Sequence, residues 1–211
     1  MSKILVIAAH LDDEVLGCGG TIAKLVDRGN EVSVMFFTKG RATENLFDMS
    51  KKAGIVLGIN RAMNHSFTDQ MLDTIPLLDI IACIDNMITE VQPNTIFTHS
   101  NCDLNQDHRI VHQAALTAAR PKPGCSVTGM YAFEVPSSTD WSFEYSFHPT
   151  VFVDISKTFD QKMEALKCYT SEVSSFPHPR SPEAIKALAM YRGSMVGVRA
   201  AEAFQLIRLV R

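Results

Sequence analysis

The chain has 211 residues, enough for one domain with a proper core. Its net charge of -3, with 46% hydrophobic and 20% charged residues, argues against a nucleic-acid partner and for an ordinary globular fold. Five cysteines, an odd number with no C-x-x-C pair, argue against a disulfide framework or a thiolate zinc cluster and point to reduced thiols.

Residues 4–9 form a continuous apolar run rich in β-branched side chains, as in a strand buried on both faces. The run is too short for a signal-peptide core, and it leads straight into His10 and two aspartates. No stretch is apolar enough to span a bilayer, so a cytoplasmic protein is expected. Gly19-Gly20-Thr21 opens a helical pattern through Ile22, Leu25 and Val26, with Gly29 at its end. Residues 31–38 are the next strand. Strand, helix and strand in this order form a βαβ unit, which implies a parallel sheet.

The alternation continues. Residues 42–57 read as an amphipathic helix ended by Gly58. Pro76 starts another, with Leu77, Ile80, Ile81, Ile84 and Ile88 on its apolar side, running to about Val91. Residues 95–98 form a short buried strand, and 108–119 a helix stopped by Pro121. The last third is less regular: strands at 127–135 and 151–155, a helix at 159–169, a loop with three prolines at 174–182, and a helix at 183–195. A final strand or helix lies near 204–209. The expected architecture is a single α/β domain over residues 1–211, a Rossmann-like, mostly parallel sheet flanked by helices.

In such sheets, ligands bind beyond the carboxyl ends of the strands. Two polar clusters stand there: Ala9-His10-Leu11-Asp12-Asp13-Glu14 after the first strand, and the run from His99 through Asp103, Asn105, Asp107 and His108 to Arg109 after the fourth. One His or Asp after a strand is ordinarily a cap or a loop residue. Together they offer more, because imidazole and carboxylate are good ligands for a divalent metal. Catalytic zinc takes three protein ligands and keeps a position for water.

The first cluster resembles the A-H-P-D-D-E signature of the PIG-L/LmbE family of zinc-dependent N-deacetylases. The second resembles that family's downstream histidine motif in its D-x-N-x-D-H-R form. The run Pro177-His178-Pro179-Arg180-Ser181, with Arg192-Gly193 and Ala201-Glu202-Ala203-Phe204, is similar to bacterial members associated with surface-polysaccharide sugars. The resemblance implies an LmbE-like fold and one zinc ion (Zn2+) per chain held by His10, Asp13 and His108. It makes Asp12 the general base and places Glu14 behind the loop as a support. It implies a small-molecule substrate, an N-acetylated sugar or sugar conjugate, and it hints at a homo-oligomer. Zinc lowers the pKa of bound water from about 15.7 to about 7, so metal-activated water is the expected nucleophile toward an unreactive amide.

Two positions depart from the family pattern. Leu11 replaces a proline. Asn105 stands where other members carry a second histidine; an amide can donate a hydrogen bond to an oxyanion but cannot carry a proton. Asn105 and, as a substitute from the proline-rich loop, His178 are therefore the candidates for stabilising the intermediate. Asp103, Arg180 and Arg192 are candidates for binding substrate. His112, one turn after His108, is expected to be structural. Trp141 and Tyr145 can stack on a sugar or simply pack.

Other functions remain open at this stage. One is an amidase for thiol conjugates or other acylated amines. From a different class, Gly17-Cys18-Gly19-Gly20 invites a non-hydrolytic nucleotide-binding module. Against that, the dinucleotide fingerprint requires glycine where Ile22 stands.

Overall fold

The apolar runs assemble into one seven-stranded sheet. In the computed structural model, which describes residues 1–40 and 45–210, the strands are β1 (Lys3–Ala8), β2 (Glu31–Thr38), β3 (Arg61–Phe67), β4 (Thr95–His99), β5 (Gly129–Phe133), β6 (Val151–Asp154) and β7 (Ala201–Leu209). Their spatial order is β3-β2-β1-β4-β5-β7-β6. The first five run parallel. β7 pairs antiparallel with both β5 and β6.

Helices α1 (Asp13–Asp27), α2 (Leu46–Leu57) and α5 (Phe159–Lys167) pack together, and α3 (Leu77–Val91) packs with α4 (Gln106–Ala118); α6 (Pro182–Ser194) packs on β7. Central strand β1 serves two cores. Ile4, Val6 and Ala8 join one with Val34, Leu16 and Leu166. Leu5, Ile7 and Ala9 join the other with Met35, Ile84 and Val111. Each fully buried Leu, Ile, Val or Met among them contributes roughly 1.5–3 kcal/mol.

The chain winds outward through β1, β2 and β3, then crosses back to lay β4 on the other side of β1. The order reverses between β1 and β4, and a crevice opens beyond their carboxyl ends. Both polar clusters fall at that point.

The structure departs from the sequence expectations in several places. β3 was not anticipated. It is a partly exposed edge strand, RAMNHSF, with no continuous apolar run. Helix α1 begins at Asp13, six residues before Gly19, and bends at Cys18 (φ -147°). Its glycines serve close packing: a Cβ on Gly17 would lie 2.3 Å from the Phe133 ring, and one on Gly20 2.9 Å from Ile155. Beyond the bend, Gly20 and Thr21 donate their N–H groups to the Glu202 carboxylate at 3.0 and 2.7 Å. Buried Lys162 pairs with Glu202 at 2.6 Å and donates to the Leu16 carbonyl. The amides that a nucleotide phosphate would need are thus already capped by a carboxylate, which removes the basis of the nucleotide-binding reading.

Helix α4 starts two residues before His108, because the Asn105 side chain caps it by accepting from Asp107 N–H at 2.9 Å. Gly58, in the left-handed conformation (φ +73°), ends α2. The expected start of that helix at residues 42–44 lies outside the described residues. The terminal segment is a strand, β7. No helix among the described residues is long and apolar enough to cross a membrane.

Candidate metal centre

The turn after β1 carries the first half of the site. His10 N–H donates to the Asp13 carboxylate at 2.8 Å, which folds the turn back on itself. Asp12 takes a positive φ of 123° and caps α1 with its carbonyl while its side chain makes no cap bond. Leu11 is buried in the core behind the turn. Glu14 accepts from Asp12 N–H at 3.1 Å and from the Tyr169 hydroxyl at 2.7 Å. That matches the supporting role expected of it. Burial pushes the Glu14 carboxyl up to about 7.

The second half enters from α4, and three ligand atoms converge. His10 Nδ1 lies 3.0 Å from His108 Nε2 and 3.3 Å from Asp13 Oδ2. His108 Nε2 lies 3.4 Å from the same oxygen. A tetrahedral ion with ligand bonds of about 2.0–2.2 Å would separate its ligands by about 3.3–3.6 Å. The three atoms therefore fit such an ion with little adjustment. Asp13 Oδ1 is buried without a hydrogen-bond partner among the described residues, further unused capacity on the same carboxylate.

Each imidazole is aimed by a carboxylate on its other nitrogen. His10 Nε2 lies 3.2 Å from Asp107 and 3.2 Å from Asp69. His108 Nδ1 lies 3.1 Å from Asp103. These contacts favour the proton on the far nitrogen of each ring and a lone pair toward the centre, an arrangement characteristic of metal-ligating histidines. Burial opposes charge on both rings, but the surrounding carboxylates outweigh it. His10 is pushed up to about 10 and His108 to about 9. A cation here competes with protons for the same nitrogens. Burial likewise opposes charge on Asp13, yet the adjacent histidines hold its carboxyl well below the usual range.

His99 stacks on His108 with ring centroids 3.9 Å apart. Its Nε2 accepts from Ala9 N–H at 2.9 Å, so that nitrogen ties β4 to the end of β1, while its Nδ1 is buried with no hydrogen-bond partner among the described residues. Burial and neighbouring His108 lower it to about 4, and it stays neutral. His112, as expected, is structural: its Nδ1 bonds the His99 carbonyl at 2.7 Å.

A polar cavity of about 370 Å³ opens over the centre, lined by His10, Asp12, Gln70, Asn105, Glu172 and Arg180 among others. Asn105 and Arg180 are thus brought to the site. Three other candidates do not line the cavity. Asp103 is buried and spends its carboxylate on His108, Ser138, Thr139 and the Asn105 amide, so it orients a histidine and is withdrawn from the substrate-binding set. Arg192 makes a two-pronged pair with Glu134 at 2.8 and 2.7 Å, beside a different cleft. His178 does not line the cavity: its Nδ1 accepts from Arg180 N–H and its ring meets Trp141 edge-on. Asp107 and Asp69, which aim His10, are not among the site residues expected from the sequence. Asp107 stood inside the quoted motif, next to His108. Asp69 follows β3, the strand that gave no signal.

Fold and site together define a doubly wound α/β protein with a His/Asp cluster, suited to a metal ion, at its topological switch point. The family model for PIG-L, GlcNAc-PI de-N-acetylase, matches residues 5–119, and the chain belongs to that family. It is 31% identical over 178 residues to the uncharacterized deacetylase YaiS of Escherichia coli K12, covering 80% of this chain and 90% of that protein. It is 24% identical over 225 residues to a diacetylchitobiose deacetylase of Thermococcus kodakarensis, covering 98% and 84%. The structure of the N,N'-diacetylchitobiose deacetylase of Pyrococcus horikoshii superposes with a TM-score of 0.80 at 22% identity, covering 98% of this chain and 84% of that one, a likeness of fold. The matched 5–119 segment contains every residue of the three-atom centre.

Proposed function

We propose that this protein is a zinc-dependent hydrolase that removes an N-acetyl group from an amino sugar or sugar conjugate. The observation that carries the reading is the convergence of His10 Nδ1, Asp13 Oδ2 and His108 Nε2, each imidazole backed by a carboxylate. These three residues would hold the metal. Zinc there supplies a Lewis acid that acidifies water and polarises the acyl oxygen.

Asp12 is the general base. Its carboxylate lines the cavity beside the centre, and burial pushes its pKa well above the usual range, against the opposing pull of Arg180. A carboxylate so raised takes a proton from the attacking water more readily than an exposed one and can return it to the departing amine. Asn105 sits at the cavity wall as the neutral donor toward the developing oxyanion, while its Oδ1 stays occupied as the α4 cap. Deacetylase relatives with sugar substrates support the substrate class.

The test is to incubate the zinc-loaded protein with N-acetylglucosamine, N,N'-diacetylchitobiose and nucleotide-linked N-acetyl sugars, following free amine and acetate by mass spectrometry. Stoichiometric amine and acetate from at least one compound is the expected result. No turnover of any N-acetyl sugar, with metal bound, would overturn the substrate class.

A further inference from the structure

The wall of the cavity facing the histidines is organised around one side chain. Arg180 Nη1 donates to Asp12 Oδ2 at 2.7 Å and to Glu172 Oε2 at 3.1 Å. Its Nε donates to Ser137 Oγ at 2.8 Å. The three acceptors come from three separate segments: the turn after β1, the chain after α5 and the chain after β5. Ser137 itself takes a positive φ of 69°. The backbone behind Arg180 is equally fixed. Its N–H donates to His178 Nδ1, Ser181 N–H donates to the His178 carbonyl, and Ser181, fully buried, caps α6.

We propose that Arg180 is a positioning residue for Asp12, holding its carboxylate by Oδ2 and leaving Oδ1 to the proton in transit, and that it does not bind the substrate. This rests on the reading of Asp12 as the base. Asp12 lies outside the regular helix at positive φ, so no helical rotamer preference aims its side chain. Its neighbours Asp13 and Glu14 are also buried carboxylates that would repel it. A guanidinium stays charged, and its planar fork fixes direction as well as charge, which an ammonium does not. The pair is largely withdrawn from water: the Asp12 side chain is 3% exposed and that of Arg180 20%. Nη1 and Nε, three of its five N–H donors, are turned to protein acceptors and fix the guanidinium against Asp12; the KM of an Arg180 variant reads whether Nη2 also meets the substrate.

A double-mutant cycle tests the proposal, using the best substrate of the panel above and measuring kcat and KM separately. Arg180→Gln is expected to lower kcat by roughly 10–100-fold, as for a misplaced catalytic group, with KM within about twofold. Arg180→Lys, which keeps the charge and loses the fork, should fall between that variant and the unmodified protein. On an Asp12→Asn background, Arg180→Gln should cost less than about twofold more, because the group it aims is gone. Zinc content and melting temperature are recorded for every variant, so that unfolding is not mistaken for lost turnover; if Arg180→Gln does not fold, the Arg180→Lys comparison on the two backgrounds decides. A raised KM with kcat retained would make Arg180 a substrate ligand and overturn the proposal. An equal loss on both backgrounds would also overturn it, since Arg180 would then act independently of Asp12. Near-normal turnover in Asp12→Asn alone would instead remove the base itself, a failure of the functional reading that the cycle reports separately.

Discussion

The cavity has two unlike walls. One is built by the ends of β1 and β4 and the start of α4. It carries His10, with Asp13 and His108 buried directly beneath and Asp103 and Asp107 behind them. The other is built by chain outside regular elements and carries Glu172 and Arg180, braced by Ser137. The first wall rests on buried parallel strands, so its atoms hold their places to within a few tenths of an ångström of what a metal requires. The second depends on turns and on one shared guanidinium. The division is a common one: groups that need fixed geometry sit on rigid elements, and the facing wall sits on loops.

Three substitutions would break or sharpen that contrast. The largest effect is expected at Asp12, where the two walls meet. Asp12→Asn should keep the metal and lower kcat by about 10²–10⁴, the range for loss of a general base. Loss of the metal in that variant would make Asp12 a ligand and shift the boundary between the walls. A smaller effect belongs to the carboxylates behind the histidines. Asp107→Asn leaves a weaker acceptor opposite His10 Nε2 and should weaken zinc binding by about 10–100-fold in a competitive chelator titration. Unchanged affinity would show that Asp69 alone suffices to aim His10. The smallest effect is expected at His178, which faces Trp141 outside the cavity. His178→Gln should leave kcat within about twofold, and a large drop in the steady-state rate would return this loop to the chemistry.

The same contrast explains what could be read from the sequence. β1, β2 and β4 announce themselves because both of their faces are buried, which forces continuous apolar runs such as Ile4 to Ala9. The metal wall follows from them, since polar residues directly after such strands have one place to go. β3 gave no such signal. As an edge strand with Arg61 and Ala62 exposed, it needs neither an apolar run nor clean alternation, and Asp69 and Gln70 were lost with it. The glycines after Leu16 looked like a helix start or a phosphate loop. Their actual reason is the approach of Phe133 and Ile155 from β5 and the chain after β6, which is invisible until the sheet is assembled. From the sequence Arg180 reads as a candidate for binding substrate; its bond to Asp12 is illegible there, because Asp12 is 168 residues away and no local pattern pairs them.

The proposed chemistry turns on whether His10, Asp13 and His108 hold one metal ion together. Elemental analysis of the purified chain beside Asp13→Ala and His108→Ala, each confirmed as folded, tests it most directly. About one divalent ion per chain is expected in the unmodified protein, with ion and acetate release lost together in both variants. Full metal occupancy in either variant would contradict it.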